Sequence, residues 1–234
     1  MRLFNLFNWI EDKETNRHIL KFVIEQQPDI LCIQEYRPDQ DFKINDYYEY
    51  KELRGNKIKN GQAIFSKFAI INSGTIGFED TSNNAIYVDV IKEQDTIRVY
   101  NLHLQSTGID YRVEKLAQEE SGNLLNRMSR TFKMQQSQAE KFLAHKNKCD
   151  YPVIISGDLN NTAYSYVYRK IKGEDLKDTF VVAGNGFGRT FDFKFFPIRI
   201  DFVMADQHFQ VNGFKTYDVK YSDHYPVMAK VRLK

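Results

Sequence analysis

At 234 residues, 42% hydrophobic and 27% charged, the chain has the make-up of an ordinary water-soluble globular protein, long enough to bury a large core. A formal charge of +2 and a pI near 8.3 lack the basic excess that by itself marks a nucleic-acid binder, yet they leave a polyanionic substrate open. No apolar run is long enough to span a bilayer, the start Met1-Arg-Leu-Phe4 has no signal-peptide layout, and no linker, repeat or low-complexity tract divides the chain, so one domain over 1–234 is expected.

Asp12 to Gln27 carries Ile19, Leu20, Val23 and Ile24 at helical spacing, which predicts a helix stopped by Pro28. Asp29 to Glu35 follows as a buried strand with Cys32 in its middle. Cys32 and Cys149 match no zinc spacing and no pairing motif, and read as free structural thiols. Further strands are predicted over Tyr47–Leu53, Gly61–Ser66 and Ala69–Phe78. Ala85–Ile91 and Thr96–Leu104 alternate apolar and polar residues about a turn at Glu93–Asp95, the pattern of a hairpin, with His103 at the end of the second arm. Gln105–Lys148 is a long polar excursion. Its second part repeats at helical spacing through Leu125, Met128, Phe132, Ala139, Phe142 and Leu143, predicting an amphipathic helix packed on a sheet, with Arg127, Arg130 and Lys133 on a solvated face. A second reading makes Tyr111, Arg112 and those basic residues a rim for a phosphate-rich substrate.

Val153–Ile155 is a short β-branched run, as expected of a strand buried on both faces, and Gly157 is expected to end it in a tight turn. Asp158 and Asn160 come next. A carboxylate and a carboxamide two residues apart, where a buried strand opens into a loop, can face the same cleft. Ala163–Ile171 predicts a short helix carrying Tyr164, Tyr166 and Tyr168, aromatics that more often pack than stack on bases or hold a lipid head group. Gly184–Phe191 is rich in glycine but lacks the phosphate-loop pattern, and is read as a loop presenting Arg189 and Thr190 to a substrate. Arg199–Ala205, Val211–Lys220 and Tyr225–Leu233 complete the strands.

Five of these segments end in acidic or histidine-bearing motifs: Asp29-Ile-Leu-Cys-Ile-Gln-Glu35, Asn101-Leu-His-Leu104, Ser156-Gly-Asp-Leu-Asn160, Arg199-Ile-Asp-Phe-Val203 and Ser222-Asp-His-Tyr-Pro-Val227. Each is short, but the five in this order, spread over nearly the whole chain, resemble the endonuclease/exonuclease/phosphatase superfamily. That superfamily holds deoxyribonuclease I, the exonuclease III type of apurinic endonuclease, inositol polyphosphate 5-phosphatases, neutral sphingomyelinases and mRNA deadenylases. The resemblance implies an α/β four-layer sandwich, two packed mixed and mostly antiparallel sheets flanked by helices. It also implies that the motif residues converge on one cleft. Glu35 and Asp223 would hold Mg²⁺ or Mn²⁺, the hard cations suited to carboxylate oxygen. Asp158 would orient or deprotonate the attacking water, and Asn160 would hydrogen-bond the phosphoryl oxygen or the nucleophile. Asp201 would hold His224 oriented and protonated against the scissile phosphate, and His103 would contact phosphate. Zinc is disfavoured because the histidines are not spaced as a ligand cluster, and Ser156 and Ser222 have no triad partners for a covalent route.

The chain departs from the family pattern at two places. Ala69 stands where proline is usual. The superfamily's first strand also ends in an Asn, and this chain reads as entering just after it, with Asn5 and Asn8 as turn residues and the first strand truncated. Relatives with a similar Arg-Leu-Phe-Asn stretch often carry an N-terminal membrane region, so a membrane-tethered parent is an expectation, as is a monomer; the compartment stays open. The expected activity is magnesium-dependent phosphoester hydrolysis of a nucleic acid, a phospholipid head group or a small phosphodiester. The alternatives are a phosphoinositide or sphingomyelin type of hydrolase, a catalytically inactive phosphate-binding module of the same fold, and a nucleic-acid binder without catalysis.

Overall fold

A computed structural model describes residues 1–7, 13–38, 42–55, 60–108, 121–193 and 196–234. Twelve strands are described: β1 Arg2–Phe7, β2 Ile30–Tyr36, β3 Tyr48–Arg54, β4 Asn60–Ser66, β5 Ile70–Gly77, β6 Asn84–Lys92, β7 Asp95–His103, β8 Val153–Asp158, β9 Leu176–Asp178, β10 Asp201–Asp206, β11 Phe209–Thr216 and β12 Val227–Leu233. Four helices accompany them: α1 Lys13–Gln26, α2 Ser121–Lys146, α3 Tyr166–Lys172 and α4 Thr179–Ala183. The strands form two six-stranded sheets, in the orders β11-β12-β1-β2-β4-β3 and β5-β6-β7-β8-β10-β9.

Each sheet contains one parallel pair, β1 with β2 and β7 with β8, and every other pairing is antiparallel. A parallel pair needs a long crossover, and α1 and α2 lie on those two connections. Three apolar clusters correspond to the three interfaces of a four-layer sandwich. Ile19, Phe22 and Val23 of α1 pack on Leu31, Ile33 and Phe65 of the first sheet. Leu3, Ile30, Cys32 and Ile64 meet Val88, Val99, Ile154 and Val203 between the sheets. Ala139 and Phe142 of α2 cover Tyr100, Leu102, Val153 and Ile155. Successive residues of β2 and β8 therefore alternate between the inter-sheet core and a helix, which is why both strands read as unbroken apolar runs.

Four expectations are corrected. Arg2–Phe7, read as lying beyond the first strand, is itself a central strand: Leu3 pairs with Ala229 on one side and Ile30 on the other, and Asn5 pairs with Cys32 and Val227 rather than making a turn. Its Leu3 is fully buried between the sheets, so burial sets its conformation.

Gly157 does not end β8. It pairs with Leu102 and Phe202 inside the sheet at φ 152°, and a Cβ there would sit 2.0 Å from the Leu102 carbonyl oxygen. Only glycine permits so close an approach in that region of backbone space.

The buried face of α2 is also shifted. Leu125 and Phe132 are 66% and 43% exposed, while Thr131, Gln135 and Gln138 are buried ahead of Ala139 and Phe142. The glutamines turn inward because two loops need partners: Gln135 Nε2 donates to Gln105 O at 2.8 Å and Asn160 O at 3.2 Å, and Gln138 Oε1 accepts from Gln105 N at 2.9 Å.

Finally, α3 starts at Tyr166, capped by Ser165, and leaves Tyr164 outside it and 90% exposed. Tyr168 is buried, with its hydroxyl 2.7 Å from Asp178 Oδ2.

Candidate active site

Three neighbouring strands of the second sheet bring their ends to one rim. β7 finishes at His103, β8 finishes at Asp158, and the antiparallel β10 begins at Asp201; His103 and Asp201 are the register partners of Asp158 on either side. Side chains at paired positions project from the same face, so the three stand in a row. His224 reaches the row from the segment before β12, which bridges to Phe191.

His224 Nδ1 lies 2.9 Å from Asp201 Oδ2, and His224 Nε2 lies 4.0 Å from Asp158 Oδ2. His103 Nε2 is also 4.0 Å from Asp158 Oδ2. All four are buried. Ligand-type atoms of Asp158, Asp201 and His224 fall within 4.8 Å of one another. Asp158 Oδ1 accepts from Asn160 N at 2.7 Å, closing a tight turn, while its buried Oδ2 makes no hydrogen bond. Asn160 holds that turn at φ 48° and donates from Nδ2 to Leu104 O at 2.9 Å.

Glu35 enters from the first sheet. The β2–β4 ladder is interrupted by a bulge between Ile33 and Tyr36, and Glu35 sits in it at φ 51°. A bulge re-aims a side chain. Burial raises the Glu35 carboxyl above its usual range; His224 opposes that, Asp223 adds to it and Arg37 opposes it. Its Oε2 is buried without a hydrogen-bond partner. Asp223 is exposed beside His224.

The two imidazoles are driven apart electrostatically. Burial alone would discharge His224, but Asp201, aided by Asp158 and Asp223, overcomes it and lifts His224 to about 9. Burial, and then repulsion from His224, takes His103 down to about 3. Asp158 is pushed up by burial and by the charge of Asp201. At neutral pH one imidazole is therefore a cation and the other a neutral donor or acceptor.

The linkage signs are opposite. His224, raised above its ordinary 6.5, contributes stability that is complete below 6.5 and fades as the pH climbs through about 9. His103 contributes stability that is complete above 6.5 and is lost as the pH falls toward about 3. Nitrogen-detected NMR should thus find His224 charged and His103 uncharged throughout the range from about pH 5 to 8. A His103 resonance titrating near pH 6 would show that its surroundings are wetter than this geometry.

The remaining site expectations divide. Thr190 is not presented to a substrate: it is fully buried, and its Oγ1 accepts from Ile200 N at 3.0 Å and Asp201 N at 3.1 Å. Its carbonyl accepts from Tyr225 N at 2.8 Å, so Thr190 ties the start of β10 to the His224 segment, an anchoring role that nothing local in the sequence announces. Arg189 is paired with Asp192 and stacked 4.6 Å over Tyr225, the residue after His224. Tyr111 and Arg112 lie outside the described residues. Cys32 and Cys149 are free thiols. Phe191, whose ring meets the His224 imidazole edge-on at 5.0 Å, also escaped the sequence reading.

A two-sheet sandwich with carboxylates and histidines gathered on one rim is the deoxyribonuclease I-like architecture, and family membership makes the class that of phosphoester hydrolases. The family model for the Endonuclease/Exonuclease/phosphatase family matches residues 7–224, and the chain belongs to that family. Solved structures agree in fold. An endonuclease/exonuclease/phosphatase from Bacteroides vulgatus superposes with a TM-score of 0.78 at 17% identity, covering 100% of this chain and 98% of the other. D. rerio TDP2 complexed with single strand DNA product gives 0.74 at 13% identity, over 99% and 98% of the two chains. The human Nocturnin catalytic domain with bound sulfate anion gives 0.71 at 16% identity, over 100% and 94%. A comparison with curated proteins returned no match. Among the described residues, no helix is long and apolar enough to cross a membrane.

Proposed function

We propose that this chain is a divalent-metal-dependent phosphodiesterase, one catalytic domain over 1–234, that cleaves its substrate by direct attack of water. The observation that carries the reading is the buried row of His103, Asp158 and Asp201 on three registered strand ends, closed by His224. Asp158 Oδ2, without a hydrogen bond of its own, is the atom that orients the attacking water and takes its proton. His224, kept cationic by Asp201, donates from Nε2 to a phosphoryl oxygen, where charge accumulates as the bond to the leaving group lengthens. Asn160 Nδ2 carries a second N–H beyond the one given to Leu104, and donates it to phosphoryl oxygen or nucleophile. His103 stays neutral and hydrogen-bonds the phosphate.

The donor set fits a hard cation at Glu35 and Asp223: Glu35 offers a buried carboxylate oxygen with no hydrogen bond, and the charge of the Asp223 carboxylate is felt there. Mg²⁺ or Mn²⁺ held there supplies charge neutralisation to the phosphate. Asn8, read with Asn5 as a turn residue, lies outside the described residues.

Glu35→Gln is expected to weaken Mn²⁺ binding by about 10-fold in a calorimetric titration, the scale on which ligand-sphere changes act. An unchanged isotherm would remove Glu35 from the metal site. The activity itself is tested with bis-p-nitrophenyl phosphate, plasmid DNA, RNA, phosphoinositides and sphingomyelin, each with Mg²⁺ and with EDTA. Because D. rerio TDP2, which shares this fold, has been solved with a single strand DNA product, DNA is the first arm to run. Cleavage of none of these substrates in Mg²⁺ would overturn the reading.

A further inference from the structure

The interior between the sheets changes character along its length. Away from the catalytic rim it is aliphatic, but level with the Glu35 bulge it contains a layer of buried carboxamides that run from sheet to sheet. Asn101 of β7 is fully buried, and its Nδ2 donates to the Ile33 carbonyl at 3.0 Å and to the Ala63 carbonyl at 3.2 Å, the two register partners that flank the bulge on β2 and β4. Its Oδ1 accepts from Gln34 Nε2, on the residue just before Glu35. Gln62, on β4 opposite the bulge, crosses the other way, from the first sheet to Asn84 O and Oδ1 at 2.7 Å each.

From these contacts we infer that Asn101 is a positioning residue for the catalytic site, one that fixes the Glu35 bulge of the first sheet against the His103 end of the second. The physical need is specific. Glu35 occupies a left-handed backbone conformation at φ 51°, which costs a non-glycine residue energy and persists only where the surroundings over-determine it. Asn101 supplies that determination on both sides of the kink, through Ile33 and Ala63 and through Gln34. It also stands two residues before His103 on the same strand, so both side chains leave the same face of the sheet. One amide thereby couples the carboxylate assigned to the metal with the row that handles phosphate. Asn101 engages both its Nδ2 and its Oδ1 in these ties, and an unpaired buried amide is expensive, so its own side chain holds one geometry rather than several.

The inference rests on the metal role proposed for Glu35, and the experiment separates the two. Asn101→Asp keeps the side chain's shape but removes both N–H donors and sets a carboxylate against two carbonyls. Measured where circular dichroism shows the fold intact, it is expected to weaken Mn²⁺ binding about 10-fold or more and to lower kcat by a similar factor, with KM little changed. Thr179→Val deletes a different buried hydrogen bond, to Val203 O, and should alter neither quantity. If Asn101→Asp fails to fold, Gln34→Leu is read in the same way, because it severs the same tie from the other side. Should Glu35→Gln weaken Mn²⁺ binding while the Asn101 and Gln34 variants match the parent in affinity and kcat, Asn101 is only a structural amide and the inference falls alone. Should Glu35→Gln also bind Mn²⁺ as the parent does, the metal assignment falls and takes the inference with it.

Discussion

Replacing Asp158 with alanine is expected to lower the hydrolysis of bis-p-nitrophenyl phosphate by about two to four orders of magnitude, the range for losing a general base. His224→Ala should fall in the same range, because the two residues act on one phosphate and their losses do not add. Asp158 allows a sharper test, since its stability effect runs the other way. Its carboxyl is pushed up by burial and by Asp201, so in the folded state the ionised form is disfavoured. An acid whose folded pKa exceeds its unfolded value of 3.8 subtracts stability progressively as the pH rises above 3.8. Asp158→Asn, which can still accept from Asn160 N, should therefore be inactive yet, in EDTA at neutral pH, at least as stable as the parent. Thermal melts of the pair check this. A variant that loses activity and stability together would mean that Asp158 holds the rim in place rather than acting in the reaction.

Arg199→Met should be the most costly single change to stability outside the core, at about 3–5 kcal/mol, because it strands a buried carboxylate. Arg199 Nη1 lies 2.7 Å from Asp178 Oδ2, with the two side chains 9% and 0% exposed. The guanidinium is stacked between the rings of Phe180 and Phe202, 4.6 Å from each. Asp178 would keep only Tyr168 Oη and Phe180 N, two neutral donors for a full charge. Methionine keeps much of the arginine's apolar bulk, so lost packing does not account for the difference. Urea unfolding measures it, and a change below about 1 kcal/mol would put Asp178 in better contact with water than its burial indicates.

Asp178 and Arg199 also show where sequence reading stopped. The strands with motifs at their ends were legible, because a buried strand must read as an apolar run and a functional loop must interrupt it with polar residues. Asp158, Asp201, His224 and His103 stand out as polar residues that end or begin such runs, and the register of β7, β8 and β10 brings the first, second and fourth together. What could not be read depends on contacts between distant segments. Thr190 looked presentable to substrate because its neighbours are glycines, yet its partners are ten and eleven residues away, on a strand it pins. Leu125 and Phe132 looked buried because they keep helical spacing, but carbonyls at Gln105 and Asn160 draw glutamines to that face instead. Gly157 looked like a turn because glycine suits one, whereas the closeness of Leu102 is what requires glycine. The first strand was missed through the alignment of a short motif, which a shift of a few residues defeats.

That strand carries a consequence for how the chain is made. β1 lies between β2 and β12, and Arg2 is paired with Lys230. During synthesis β1 and β2 can meet early, but the other edge of β1 stays bare until β12, at Val227–Leu233, has been made. Its unpaired N–H and C=O groups are then an open invitation to another nascent chain. Closing so long a loop is slow, since ordering must precede the contacts that reward it. The seven-residue strand β12, the latest in sequence of the described strands, is the one that shuts the sheet. A chain cut short before Val227 would keep its whole catalytic row in sequence and have no finished sheet to carry it.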